Sequence, residues 1–500
     1  MICDLSEDFT VMEAVIENIE PLVTARAQPI SSEEVGEIIR QIEEKHDLLQ
    51  YEVDGWCIWP VLRFPVALDL MKLPFAVTKE SFKFRELCAI AVKDSYRLLF
   101  PRRARYVALT LSSELMEQVG ERFKNVFFDE LLPELGSYFK IETLNNKSFL
   151  PRAKAAQIKS DVTSTAFGLL STLVLPRFGR HRDIRRVAEK LSESLGKEPG
   201  LEGFSSSRIA ARLDEFYWRK KLFSSLFGRI RPEFLLSADG FSDHSAIAAA
   251  KERGVEVCEF QHGGFLAGGP EYGWSSYASS YKSKMPIPDR LLLYGDYWKE
   301  QLEREGFWGT SLHAVGSLRM DQYRRPGLAK GSRHERAACR IVLTTQGVDT
   351  EKLISFVDEF LRIAEQKLEL DLYIKLHPAY ESSKEIYVRS FGADSRVRVI
   401  AGSEGPSTFE LISGADLHLS ISSTCHYDAL GLGVPTVILP LANCGWVLPL
   451  FRRGHALLAE TPEALLAIAR DLEHHTVPDS LSAYYYKPGA MQNMKQALKV

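Results

Sequence analysis

The sequence predicts an α/β protein built from two doubly wound, Rossmann-like domains facing one another across a cleft, preceded by a helical N-terminal extension. Three observations lead there. At 500 residues the chain is too long for one ordinary core. Apolar runs of strand length alternate with amphipathic helical segments, which implies parallel sheets covered on both faces. That alternation stops at a polar, basic stretch, "RRPGLAKGSRHER" (324–336), and then starts again. The expected domains are therefore an extension over 1–75, a first sheet domain over 76–325, a second over 326–485 and a tail over 486–500.

Composition sets the broad class. A hydrophobic fraction of 45% and a charged fraction of 26% are those of a globular chain, and a net charge of -4 gives no argument for nucleic-acid binding. Seven cysteines are scattered without a CxxC pair, which speaks against a zinc site and suits a reducing cytoplasm. The start, "MICDLSEDFTVMEAVIENIE", is acidic and lacks a signal-peptide core. The longest uncharged run, "ALGLGVPTVILPLANCGWVLPLF", is interrupted by Pro435, Pro440 and Pro449 and reads as a helix end, a buried strand and a loop rather than a membrane span. The expected location is cytoplasmic, with peripheral contact at the inner membrane face as an option.

Taken in order, "SSEEVGEIIRQIEEKH" reads as a polar helix. "DGWCIWPVLRFPVALDLMKL" reads either as a helix packed on the core or as a surface that meets membrane or a lipid-linked substrate; "PRRARY" (101–106) adds a basic patch compatible with both. "RYVALTL" is a strand, "SELMEQVGERF" a helix, and "NVFFDELL" and "YFKIETL" short strands. A basic helical region over 151–231 follows. "PEFLLSADG", "VEVCEFQHGG", "DRLLLYG" and "LHAVGS" are strands, with helices "SDHSAIAAAKERG" and "DYWKEQLEREG" among them. "GPEYGWSSYASSYKSKMP" reads as a mobile loop over the cleft, or as an ordinary loop. In the second half "CRIVLTTQG", "LDLYIKLHP", "RVRVIAG", "DLHLSISS" and "PTVILPL" are strands, separated by "TEKLISFVDEFLRIAEQKL", "STFELISGA" and "TCHYDALGLG" as helices and followed by the helix "TPEALLAIARDLEHH".

In folds of this kind ligands bind beyond the carboxyl ends of the strands. Two strands deliver a histidine there, one in each domain: "EFQHGG" carries Gln261, His262 and Gly263, and "IKLHPAY" carries Lys375, His377 and Pro378. Pro378 keeps His377 in an extended tip. In "SISSTCHYDALGLGVPT" a strand ends in Ser422, Ser423 and Thr424 and a helix starts at once, an arrangement able to hold phosphate without metal. Asp428 falls one turn inside that helix, within reach of ribose hydroxyls. "LLSADGFSDH" supplies Asp239 and Asp243, either of which, beside His262, would be a base or nucleophile; Asp243 could equally cap the helix that follows. Arg319 in "GSLRMDQY" is a phosphate contact or a surface ion-pair partner. No GxxxxGK[ST], GxGxxG or metal-holding DxD is present at a strand end, so a P-loop NTPase, a nicotinamide dehydrogenase and a metal-dependent transferase are not expected.

From about Pro232 to Leu441 these motifs resemble the two-domain GT-B glycosyltransferases of bacterial surface polysaccharide synthesis. "KLHP" is similar to the His-Pro motif of bacterial sialyltransferases and "SISST" to their paired-serine motif; on that resemblance His377, Ser422 and Ser423 bind the phosphate of a CMP-activated donor. "QHGG" resembles capsule-type 3-deoxy-manno-octulosonic acid (Kdo) transferases and the CDP-glycerol polymerases of teichoic acid synthesis, in which Asp428 would match an acidic residue after the serines. "GSLRMD" is similar to their Gly-x-Pro-Arg-x-Asp stretch with Leu318 in place of proline. "ADG" matches the sialyltransferase Asp/Glu-Asp/Glu-Gly motif only at Asp239 and Gly240. The resemblance implies metal-independent transfer of Kdo or a related acidic sugar from a CMP-sugar to a glycan or lipid-linked glycan, with no cofactor beyond that donor. The alternatives are a CDP-glycerol-type polyol-phosphate transferase and a non-catalytic carbohydrate-binding relative.

Overall fold

The structure, a computed structural model, describes residues 32–499 apart from 72–83, 112–115, 120–121, 144–159, 180, 239–242, 266–267, 325–337, 378–383, 403–404 and 442–443. Two fully parallel sheets organise it. The first has seven strands: β1 (Tyr106–Leu111), β2 (Tyr138–Thr143), β3 (Val162–Thr163), β4 (Phe234–Ser237), β5 (Glu256–Phe260), β6 (Arg290–Leu293) and β7 (Leu312–Ala314), in the spatial order β7-β6-β5-β4-β1-β2-β3. The second has six: β8 (Cys339–Thr344), β9 (Leu370–Lys375), β10 (Val397–Ile400), β11 (Leu417–Ser420), β12 (Thr436–Ile438) and β13 (Leu457–Leu458), ordered β10-β9-β8-β11-β12-β13. Both sheets are doubly wound. The chain reverses direction of travel between β1 and β4 in the first and between β8 and β11 in the second, and those are the points where such folds open a crevice.

The strands are short and apolar because both faces are covered; β4, for example, is buried at every residue. On one side of the first sheet lie α3 (Phe84–Leu99), α4 (Ser206–Ile230) and α5 (His244–Lys251). On the other lie α1 (Ser32–Lys45) and α2 (Trp59–Met71) of the N-terminal extension. The extension is therefore part of the first domain's core. Trp56 and Trp59 are buried, and the equally buried Arg63 joins Glu43 at 2.6 Å, donates to the Gly273 carbonyl at 2.7 Å and stacks on Trp274 at 3.9 Å. The membrane-facing reading of this stretch is thereby set aside, since its tryptophans and cation are consumed by packing.

Three other expectations change. Met116–Val119 and Arg122–Asn125 pair as an antiparallel hairpin where a helix was expected. The sequence between them is Gly120-Glu121, and glycine opening a two-residue connection is a hairpin signal that the helical spacing of the apolar residues obscured. Beyond Asn125 the chain turns into a short helix, Leu131–Leu135, instead of continuing as strand. The aromatic segment after Pro270 is packed rather than mobile: Tyr272 and Trp274 are buried, and the Tyr281 hydroxyl donates to Asp47 at 2.9 Å.

The chain's end belongs to the first domain as much as to the second. After α6 (Asp296–Glu303) and α7 (Leu318–Tyr323), the second domain contributes α8 (Thr350–Ala364), α9 (Cys425–Gly431) and α10 (Pro462–Arg470); then α11 (Asp479–Tyr485) and α12 (Ala490–Ala497) return to the first sheet. Lys487 N–H donates to the Tyr294 carbonyl at 2.8 Å and Ala490 N–H to Asp321 at 2.6 Å. Gly295 makes this docking feasible, because a Cβ there would lie 2.4 Å from the Tyr484 carbonyl oxygen. The tail expected over 486–500 is thus a clasp across the two domains. Gly295→Ala is expected to loosen it and lower stability by about 3 kcal/mol, checked by denaturant melts.

Candidate active site

The richest cluster of candidate residues sits where the two sheets approach. Ser422 and Ser423 follow β11, at the switch point of the second sheet. Their neighbour across that switch point is the end of β8, and the two ends are tied together: the Ser422 hydroxyl donates to Gln346 Oε1 at 2.8 Å and the Ser420 hydroxyl to the Thr344 carbonyl at 2.7 Å. Ser423 Oγ accepts from Cys425 N–H at 3.2 Å, which sets the turn into α9. Thr424 is exposed at the helix start. The loop is further held by Trp446, whose indole N–H donates to the Ser422 carbonyl at 2.8 Å.

The first sheet meets this loop through "QHGG". Gly264 stands so close to Thr424 that a Cβ on it would fall 2.9 Å from Thr424 Cγ2 and 3.4 Å from the Trp298 ring. The segment that follows β5 and the hydroxyl-bearing segment that follows β11 are therefore in contact, one from each sheet. Around them runs an aromatic seam. Trp298 packs at 4.8 Å from Tyr427, Tyr297 at 4.7 Å from Tyr485, and Tyr294 stacks on Tyr486 at 4.8 Å. These contacts form one continuous apolar core between the domains.

His377 lies just past β9, half-buried, and burial depresses its pKa to about 4. Taking the imidazole out of water penalises its charged form. Lys375, two residues earlier, is buried and donates to the Ala401 carbonyl at 3.1 Å, so its charge braces the end of β10 next door. Asp428 accepts from the Tyr486 hydroxyl at 2.5 Å, and burial raises its pKa to about 6, with Tyr486 and the Arg319 charge pulling the other way. The carboxylate expected to face a ribose is thus a joint between α9 and the C-terminal clasp. Arg319, on α7, lies over the Phe409 ring of the second domain at 4.0 Å and so reaches across the interface.

In the first sheet domain His262 is half-buried beyond β5. Gln261 before it is buried and fully engaged: its Oε1 accepts from Tyr294 N–H at 2.9 Å and its Nε2 donates to the Gly263 carbonyl at 2.8 Å. It shapes the loop, with each end of its amide bonded to the backbone. Asp243 takes the capping role the sequence allowed. Its Oδ1 accepts from Ala246 N–H at 3.1 Å, and its Oδ2 receives both Nε (3.0 Å) and Nη2 (2.6 Å) of Arg219, with the carboxylate 2% exposed. Asp239 and Pro378 lie outside the described residues.

Several titratable groups at this end of the first sheet escaped sequence reading. Glu259, inside β5, is buried and accepts from the Tyr272 hydroxyl at 2.8 Å. Glu259 lines a narrow cavity together with Arg63, His244, Glu271 and Trp308. Burial raises the Glu271 pKa, opposed by a hydrogen bond from its own backbone and by the nearby His262 and Arg63. Glu142, the last but one residue of β2, is bonded to Thr110 of β1, and burial pushes it up to about 7. The available signal was a charged residue inside an otherwise apolar run, as in "CEFQ" and "YFKIETL". In the second domain, His418 bridges Thr344 (2.9 Å) and Thr436 (2.8 Å), and His426 reaches the same Thr436 hydroxyl at 2.6 Å. Both imidazoles are held neutral by burial, His426 down to about 3, and they lock β8, β11, β12 and α9 beneath the serine loop.

No protein-family model matches the chain, and no curated protein matches it. Among solved structures, the UDP-GlcNAc 2-epimerase of Neisseria meningitidis is similar at 12% identity and a TM-score of 0.47, covering 79% of this chain and 99% of that one. MurG of Acinetobacter baumannii is similar at 11% identity and a TM-score of 0.44, with the same coverage. The glycotransferase of kitacinnamycin is similar at 12% identity and a TM-score of 0.40, covering 79% and 96%. No residue role is transferred across likenesses of this size.

Proposed function

We propose that this chain is a glycosyltransferase that moves Kdo or a related acidic sugar from a CMP-activated donor to a growing surface glycan, without a metal. The observation that carries the reading is the contact of Gly264 with Thr424. It joins the histidine-bearing strand end of one sheet to the Ser422–Thr424 loop at the switch point of the other, where a doubly wound sheet receives a nucleotide. In this reading the second domain holds the donor phosphate with the Ser422 and Ser423 region and His377. The bond between the sugar's anomeric carbon and the phosphate oxygen breaks, an acceptor hydroxyl oxygen forms the new bond, and CMP departs with the electron pair. Asp239 with His262 acts on the acceptor side and takes the proton that the acceptor hydroxyl gives up. Asp243 is left out, because both of its oxygens are committed to the helix cap and to Arg219.

A thermal-shift panel tests the donor. CMP should raise the melting temperature more than UDP or GDP, and a hundredfold excess over Kd corresponds to about 2.7 kcal/mol of stabilisation. A larger response to CDP-glycerol than to CMP-sugars would favour polyol-phosphate transfer; a preference for UDP would overturn the cytidine assignment.

The buried His377 adds a pH signature. Burial holds it neutral at pH 7, whereas a phosphate brought against it favours the charged form, typically by about 1–3 pKa units. Binding then takes up a proton, so affinity rises as pH falls from the raised value of the bound state towards about 4. With a cytidine 5′-phosphodiester, compared between about pH 8 and about pH 5.5 so that neither the diester nor the cytosine ring changes charge, calorimetry should give severalfold tighter binding at the acidic end. His377→Asn should flatten the dependence. An equally steep profile in that variant would take His377 away from the phosphate.

A further inference from the structure

One outward face of the first domain is apolar where a folded chain is ordinarily polar. On and just after α3, Val92 is 72% exposed, Tyr96 70%, Leu99 57% and Phe100 69%. Their spacing puts them on a single side of the helix. The opposite side is pinned inward: Asp94 and Leu98 are buried, and Asp94 accepts from the N–H and hydroxyl of Thr163, both at 2.7 Å. The Thr165–Leu169 helix packs against α3 and runs on into a segment that exposes Leu170, Val174 and, at 81%, Phe178, again four residues apart. Two neighbouring segments thus present apolar stripes to solvent, together more than the isolated exposed residues any surface carries.

The rim of this face is basic. Arg85, Lys93 and Arg103 are exposed, as is Arg97, which donates to the Asp161 carbonyl at 2.9 Å, although the whole chain carries a net charge of -4. Positive charge gathered around an apolar stripe complements a surface that is anionic outside and apolar beneath. A second copy of this chain fits poorly, because a two-fold contact would set like charges against one another. Among the described residues no helix is long and apolar enough to cross a membrane.

We infer that this face docks on an anionic phospholipid bilayer, with Tyr96, Phe100 and Phe178 at the boundary between headgroups and acyl chains and the basic rim on the lipid phosphates. The site lies on α3 and the residue 165–178 segment, away from the "DGWCIWPVLRFPVALDLMKL" stretch of the sequence's membrane option, and takes in Arg103 of the "PRRARY" patch that option included. It stands independently of the transfer reaction.

Co-sedimentation of the full chain with vesicles tests it. The protein should pellet with vesicles of phosphatidylcholine mixed with phosphatidylglycerol, far less with phosphatidylcholine alone, and less as salt is raised. Phe100→Ser with Phe178→Ser should weaken binding at least tenfold at an unchanged melting temperature, since both side chains are already solvent-exposed. Lys93→Gln and Arg103→Gln should each weaken it about fivefold. Failure to pellet with the anionic vesicles, or undiminished binding by the double serine variant, would overturn the proposal. So would a dimer in solution that the serine substitutions dissolve, because that assigns the face to a second copy.

Discussion

Asp243→Asn should melt well below the wild-type protein, by about 3–5 kcal/mol. Capping alone argues for no change, since asparagine caps a helix about as well as aspartate. The ion pair decides otherwise. Asp243 Oδ2 receives two guanidinium nitrogens of Arg219, whose own side chain is only 12% exposed and whose Nη2 also reaches Ser164 at 3.4 Å. Removing the negative charge strands a buried cation against α4 and α5. Adding Arg219→Met to Asp243→Asn should recover much of the loss, because replacing both partners removes the uncompensated charge. Urea midpoints of the three proteins decide the matter. A stable, folded Asp243→Asn protein that has lost turnover would return this carboxylate to the chemistry.

Gly264→Ala should cut transfer about 10²-fold while leaving nucleotide affinity close to wild type. The added methyl would sit 2.9 Å from Thr424 Cγ2 and 3.4 Å from the Trp298 ring, so the two strand-end loops must separate. A displacement of the order of an ångström between reacting groups carries a penalty of that size. Thr424→Ser removes Cγ2 and keeps the hydroxyl, so the double variant should regain most of the rate. The same pair of changes separates a steric effect from a general weakening of the fold, since only the former is rescued by the smaller neighbour. Full activity in Gly264→Ala, or no recovery in the double variant, would show that this contact does not set the catalytic geometry.

Much of the second domain was legible in the chain. Strand, helix and turn signals there coincide: "LDLYIK" is β9 over Leu370–Lys375, "DLHLSISS" contains β11, and the break between the sheets falls before Cys339. A parallel strand buried on both faces is a continuous apolar run, and such runs depend little on context. The hairpin over Met116–Val119 and Arg122–Asn125 was not legible, because its apolar spacing also fits a helix and a two-residue turn leaves a weak mark. Of the candidate site, the order of motifs showed which residues end strands. It did not show which of their side chains remain available. Gln261, Asp243, Lys375 and Asp428 all have the chemistry of ligands, and all four are engaged by other parts of the protein.

The sequence by itself determined the two-sheet architecture and the strand ends that bear the histidines and serines, because hydrophobic period and turn chemistry are local. Tertiary structure alone decided the partner of each polar group. Asp428 meets Tyr486, fifty-eight residues away, and Asp243 meets Arg219 across two helices. Gly264 meets Thr424 from the other sheet, and the exposed stripe on α3 is visible only because Asp94 fixes which side turns inward. Such pairings depend on how elements pack, and a buried charge or a close approach is stabilised only by the neighbour that packing brings.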